Sequence, residues 1–233
     1  TTATGLVTIG AIGTATTVGG IPFYQLATGS IYTYDVSATD SGANYNTAYG
    51  INALKAITGG DDNVSIGNNA LSSNTTGTRN IAVGVNALNS SDTENDNLAI
   101  GYQAMTTNTA GGIKNIALGN YVLDALTSGD DNVGVGHSAL GANTAGGQNT
   151  AIGKGALTTV STSSLNTAVG YEALNANTGV RNTAVGIEAG LTMTDGEKGT
   201  FVGERAGRLA TGSYNTFVGS QAGTTTSTGV QNV

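Results

Sequence analysis

Residue types that could do acid–base, nucleophilic or metal chemistry are few and widely spaced. There is one histidine, His137, and no cysteine, so thiolate chemistry and a disulfide framework are both excluded. A lone histidine has no partner fixed by sequence, and no Ser-His-Asp arrangement can be built on it. Gly60-Asp-Asp-Asn63 and Gly129-Asp-Asp-Asn132 each place two carboxylates in a turn, the hard oxygen ligands that calcium takes. Neither the EF-hand spacing nor the calcium-binding nonapeptide accompanies them, so solvated turn residues are the expectation. Gly134-Val-Gly136 has the glycines of a phosphate loop but does not open a helix. The expectation is therefore a chain with no catalytic residues, no metal site and no cofactor.

What positions these residues is a repeat. Asn166-Thr-Ala-Val-Gly170, followed by Tyr171-Glu-Ala-Leu174, recurs in altered form from Asn46 to the end of the chain. The lead positions are 46, 63, 80, 97, 115, 132, 149, 166, 182, 199, 215 and 232, so the spacing is 16 to 18 residues. A period this short and regular indicates a stacked solenoid. Glycine at the fifth position, with abundant Thr and Asn, argues against helix. Seventeen residues suffice for two short strands and two turns per coil. The fold class expected is all-β: a parallel β-solenoid or β-roll of ~17-residue coils spanning 46–233.

Numbering each repeat from its lead residue, position 4 is large and aliphatic from the second repeat on, as in Ile66, Val83, Ile100 and Val169. Position 2 shares its face and is Val64, Ile81, Leu98, Ile116 and Val133, or Thr. Position 3, on the other face, is mostly Ala, and positions 8 and 9 are usually Ala-Leu. A strand apolar on both faces is buried on both. The small face is expected to fill a narrow solenoid interior, and the large face to pack on further copies of the chain around a common axis. The Thr entries at position 2 align, as an ice-binding face would require, but the aliphatic entries in the same slot point to burial instead. The lead Asn either forms an amide ladder along the axis at about 4.8 Å spacing or shapes its own turn. In the last repeats position 9 becomes Gly190, Gly207 and Gly223, while position 3 becomes Phe201 and Phe217. That exchange suggests the two slots touch across the core, although Ala184 beside Gly190 does not follow it.

Residues 1–45 lack the repeat and read as an N-terminal capping or docking β region. Leu6-Val-Thr-Ile-Gly10 and Ile31–Val36 look like strands, and Gly19-Gly-Ile-Pro22 looks like a break. The region is uncharged before Asp35, yet Thr and Gly interrupt it too often for an apolar membrane helix of about 20 residues. No basic n-region of a signal peptide is visible. The chain begins at Thr1 and stops two residues into a repeat, which reads as a processed or partial chain. A net charge of −7 disfavours nucleic acid. Positions 6 and 7 vary between repeats, so any binding surface is expected there, at Tyr102, Lys154, Tyr171, Glu172 and Arg205.

The run Asn-Thr-Ala-Val-Gly-Tyr-x-Ala-Leu, seen at Asn166 to Leu174, resembles repeats of bacteriophage tail-fibre proteins. It is also similar to the head repeats of trimeric autotransporter adhesins, which form a trimeric left-handed β-roll. The resemblance covers residues 46–233. It implies a homotrimeric, non-enzymatic fibre in a virion or at a cell surface, involved in attachment to a host glycan or protein. A bacterial adhesin head is the alternative. So is a self-polymerising filament, in which an unfinished coil is completed head-to-tail by the next subunit.

Overall fold

The computed structural model describes residues 16–18, 21–23, 30–33, 42–108, 111–225 and 228–233. Fourteen short strands are present among them. β1 (Thr16–Val18) and β2 (Ile21–Phe23) pair antiparallel as a two-stranded sheet. The other twelve are β3 (Ile31–Tyr32), β4 (Thr47–Tyr49), β5 (Val64–Ile66), β6 (Ile81–Val83), β7 (Leu98–Ile100), β8 (Ile116–Leu118), β9 (Val133–Val135), β10 (Thr150–Ile152), β11 (Thr167–Val169), β12 (Thr183–Val185), β13 (Thr200–Val202) and β14 (Thr216–Val218). They form one parallel sheet in sequence order. Register is strict, so each repeat position sits on its equivalent, as with Thr150 on Thr167 and Ala151 on Ala168. The chain is an all-β solenoid.

The sheet begins before the first full repeat, because β3 pairs with β4. Of the expected strand at 31–36 only Ile31–Tyr32 is strand, and residues 34–36 lie outside the described residues, as do residues 6–10. The break expected at Gly19–Pro22 is partly a strand: Pro22 lies in β2, opposite Thr17. In a two-stranded sheet both strands are edges, where a residue without N–H is tolerated.

A second correction concerns the coil. Two strands per coil were expected; each repeat has one three-residue strand, and turns make up the rest. The cause is a fixed set of left-handed residues. Positions 7 and 9 have positive φ in every repeat, for example Glu172 at 50° and Leu174 at 48°, and so does the residue before each lead, such as Arg181 at 60°. Reversals of φ at alternate residues cannot continue a strand. They do aim the amides along the axis. The Glu172 N–H donates to Lys154 O in the coil below (3.0 Å), and the Leu174 N–H to Ala189 O in the coil above (2.9 Å). Position 5 must be glycine. Gly170 has φ 139°, and a Cβ there would lie 2.3 Å from the carbonyl oxygen of Gly186 in the next coil.

Inside lie positions 1, 3, 8 and 9. Ala168, Ala173 and Leu174 are completely buried. The lead Asn is buried too and serves both roles considered for it. Its Oδ1 accepts the backbone N–H of the next lead residue, as from Asn63 to Asn46 (2.9 Å) and Asn149 to Asn132 (3.0 Å). Its Nδ2 donates across the coil to the closing turn, from Asn132 to Gly146 O at 2.8 Å. The amide thus links coils and braces each one.

Large-for-small exchange operates between neighbouring coils as well as within one. A Cβ on Gly207 would be 2.2 Å from Cδ1 of Phe201, and one on Gly190, in the preceding coil, would be 2.8 Å from Cδ2 of the same ring. This accounts for Gly190 beside Ala184: the ring it accommodates belongs to the next repeat. The same rule explains Gly134 in the alanine column, where a Cβ would meet Val122 Cγ1 at 2.5 Å. Aromatic rings occupy the interior towards both ends of the described sheet. Tyr32 is buried at one end, its hydroxyl accepting from Asn46 Nδ2 at 3.4 Å, and the Phe201 and Phe217 rings stack at 6.1 Å at the other.

Candidate functional site: the exposed corner after each strand

Glycine at position 5 turns the chain out of the strand and brings neighbouring coils into backbone contact. Left-handed position 7 then turns it back, leaving the side chain at position 6 on a projecting corner. Because coils stack in register, corner residues from successive repeats form files parallel to the axis. Tyr102, Lys154, Tyr171 and Arg205 are exposed, and Glu172 is half-buried beneath them.

The structure brings some of these residues together. The Lys154 ammonium lies 5.8 Å from the centroid of the Tyr171 ring. The neighbouring Glu172 carboxylate holds the Tyr171 phenol above the ordinary tyrosine value. Tyr102 stands in a separate group that sequence reading did not assemble: its ring packs edge-on against Tyr121 at 5.4 Å, and Tyr121 against His137 at 5.6 Å. His137 is exposed, and its Nδ1 lies 2.8 Å from Ser138 Oγ. Arg205 belongs to a third group. Its Nε donates to Glu188 Oε2 at 3.1 Å, Arg208 donates to the same oxygen at 2.7 Å, and Arg205 Nη1 is 3.6 Å from Glu204. Hydrogen bonds from Arg208 and then Arg205 hold the Glu188 carboxyl below its usual range. Tyr121, Glu188 and Arg208 were missed. Their signal was register: Tyr121 falls one coil after Tyr102, and Glu188 one coil before Arg205.

The Asp pairs lie in separate turns with different duties for their members. Asp61 and Asp130 accept backbone N–H groups from the preceding coil, those of Asn44 (2.7 Å) and Ile113 (2.9 Å). Asp62 and Asp131 adopt left-handed φ and are exposed. Among the described residues no three His, Cys, Asp or Glu side chains cluster to hold a metal ion. Among the described residues one carboxylate is buried: Glu94 accepts from Ser91 Oγ and from the N–H groups of Asp92, Thr93 and Gly111, at 2.7 to 3.1 Å. It does for this turn what Asn74 does one coil earlier, where Oδ1 accepts the Gly77 N–H at 2.8 Å.

Beside the corner, positions 2 and 4 line the outer face of the sheet. Burial expected for them is incomplete in the single chain. Val169 and Thr167 are half-buried, and Ile100 is 40 % exposed. The threonines at position 2 form an outward file from Thr150 to Thr216, while β5 to β9 carry aliphatic side chains in that column.

No protein family, curated protein or solved structure matches the chain. Among the described residues no helix is long and apolar enough to cross a membrane.

Proposed function

We propose that the chain is a structural shaft segment of a fibre, of the tail-fibre or appendage type, whose copies pack together and hold attachment surfaces out towards a cell. The observation that carries this reading is the outer face of the sheet. Positions 2 and 4 hold no charged residue in any of the eleven repeats, although charged residues make up 10 % of the chain. An uncharged face that leaves a file of large aliphatic side chains partly exposed along the whole sheet suits an interaction site. The role proposed is mechanical support rather than catalysis, with three copies about a common axis. The corner groups around Tyr102 and around Lys154, Tyr171, Glu172 and Arg205 are the surface offered to a glycan or protein, since phenol, ammonium and carboxylate groups hydrogen-bond to hydroxyls.

Light scattering with negative-stain imaging tests the reading. A discrete species at three times the 23.0 kDa chain mass, seen as short rods, is expected. A monomer would overturn it. Indefinite filaments would favour the polymer reading.

A further inference from the structure

The closing turns of successive coils are of two kinds. Three residues after position 9 the chain places one side chain inside the turn, and it is completely buried in every coil from Ile57 to Ala210. In alternate coils it is Asn74, Asn108, Asn143 and Asn177; in the coils between it is Ile57, Ser91, Leu126, Val160 and Met193. Asn143 braces its own turn: its Oδ1 accepts the Gly146 N–H at 2.8 Å and its Nδ2 donates to the Gly146 carbonyl at 2.9 Å. The lead amide of Asn132 reaches the same carbonyl, so two buried amides hold the coil. The Asn74 turn repeats this pattern at Gly77 and the Asn177 turn at Gly179. Asn108, in the 18-residue coil, keeps the bond to the Gly112 carbonyl (2.7 Å), while its Oδ1 has no partner among the described residues. In the coils between, Ile57 and Leu126 fill the same volume with carbon: a Cβ on Gly60 or Gly129 would lie 3.0 or 3.1 Å from their Cδ1 atoms.

A second feature alternates in step. Two residues before the next lead, the coils between carry a side-chain acceptor that takes the N–H of the equivalent residue in the preceding asparagine coil. Asn95 takes it from Thr78 (2.7 Å), Asp130 from Ile113 (2.9 Å) and Ser164 from Gly147 (3.0 Å). Surface links keep the same beat. Arg79 pairs with Asp96 at 2.6 Å, Thr75 donates to Asp92, Thr144 Oγ1 lies 3.1 Å from Ser161 Oγ and Thr178 donates to Asp195 at 3.1 Å; each joins an asparagine coil to the one after it. Across the intervening junctions the equivalent threonines, Thr58 and Thr127, donate to backbone carbonyls at 3.0 and 2.9 Å. An exception is Glu94, whose carboxylate accepts the Gly111 N–H across such a junction. The Asn52–Asn69–Asn86 amide file crosses junctions of both kinds and distinguishes neither. Towards the end of the sheet both features change together. Ala210 stands where an asparagine is due, and in that coil Ser213 accepts the Glu197 N–H at 3.0 Å. The joint change ties the two features to one pattern.

We infer that the building unit of the solenoid is a module of two coils, an asparagine-braced coil clasped by the coil that follows it, and that the rod opens between modules in preference to within them. Modules start at leads 63, 97, 132 and 166, and so span 33 to 35 residues. In a stacked-repeat protein, stability is a sum of unit terms and nearest-neighbour interface terms. Where the interface terms alternate, the two coils joined by the stronger one open together as a cooperative unit. The backbone ladder does not create the difference: the Val133 N–H donates to Asn149 O inside a module and the Thr150 N–H to Asn166 O between modules, both at 2.8 Å. The difference lies in the side chains, and it is independent of self-association.

Deletions in the full chain separate a two-coil module from a uniform repeat. Removing residues 132–165 takes out one module and leaves the alternation intact. Removing 132–148 or 149–165 takes out one coil and sets two coils of one kind together. If all coils were equivalent, the longer deletion would be the more harmful. The expected result is the reverse: a urea midpoint near the parent's for the module deletion, and clearly lower midpoints for both single-coil deletions. Amide hydrogen exchange of the intact chain gives a second reading that needs no deletion to fold. Ile116 and Thr150, whose N–H groups bridge modules, are expected to exchange several-fold faster than Leu98 and Val133, whose N–H groups bond within them. Fraying from the ends cannot produce such an alternation along the chain. Even protection at these four amides, or a module deletion less stable than either single-coil deletion, would overturn the two-coil unit and leave a uniform solenoid.

Discussion

The Phe201 ring occupies the space that a side chain on Gly199 would need. A Cβ on Gly199 would lie 2.6 Å from both Cε2 and Cζ of the ring. Position 199 is the one lead position of the eleven full repeats that is not Asn, and the reason is volume. Restoring the repeat's own residue is therefore harmful. Gly199→Asn is expected to lower stability by about 1–3 kcal/mol through overpacking. In Phe201→Ala/Gly199→Asn the asparagine is accommodated, so the double variant should be more stable than the sum of the single effects. Urea midpoints of the three proteins check this.

Asn132 serves two coils. Asn132→Ala leaves the buried Asn149 N–H without its partner, a loss of about 1–3 kcal/mol, while the Gly146 carbonyl keeps its hydrogen bond from Asn143 Nδ2. Asn68→Ala, at an exposed corner, should stay within about 0.5 kcal/mol of the parent. Equal melting temperatures for these two variants would contradict the bracing role of the lead amide.

Glycines of the same coil differ in what they permit. Gly153→Ala drives a methyl to 2.3 Å from Gly170 O at φ 137°, and the loss should exceed about 1 kcal/mol. Gly155→Asn places a residue that tolerates left-handed φ at 70°, where the nearest atom to a new Cβ, Glu172 Cγ, lies 3.2 Å away on a flexible side chain. It should be close to neutral by thermal melting.

Both faces of β11 can be probed with one charge. Ala168→Asp puts a carboxylate into the closed interior and should prevent folding of that coil, visible by circular dichroism. Val169→Asp puts it on the outer face. It should leave the circular dichroism of the chain intact and prevent the self-association proposed above, which sedimentation would show.

Glu188, between Arg205 and Arg208, has a folded pKa below its unfolded value. Its contribution is present above the ordinary glutamate pKa and is lost as pH falls through the depressed value. Glu188→Gln should therefore narrow its stability gap to the parent as pH drops below about 4. Melting curves from pH 7 down to pH 2 follow the effect.

Much of this architecture was legible because it is periodic. Lead positions fixed the register of β4 to β14, and the alternation of small and large residues assigned inside and outside correctly at Ala168 and Val169. The missing second strand was not legible, because local propensity contradicts the fold there. Leucine rarely adopts left-handed φ, yet Leu54, Leu71, Leu140 and Leu174 all do. Burial of the side chain and a hydrogen bond to the adjoining coil offset the local cost. Gly190, Gly207 and Gly223 held the clue, since glycine is at ease with positive φ. At the corner, Tyr102, Lys154 and Arg205 were found as variable positions; their grouping with Tyr121, Tyr171 and Glu188 depends on which coils adjoin.

Hydrogen bonds between coils all run along the solenoid axis, so the chain behaves under tension as a row of similar links. End-to-end force loads every bond of one junction together, and no junction shields the next. The weakest gives way first, and each detached coil of ~17 residues then pays out roughly 50 Å of slack chain. A rod of this design yields in small regular steps and can re-form them when the load is removed. In the fibre proposed above, such a rod would absorb shock along its axis.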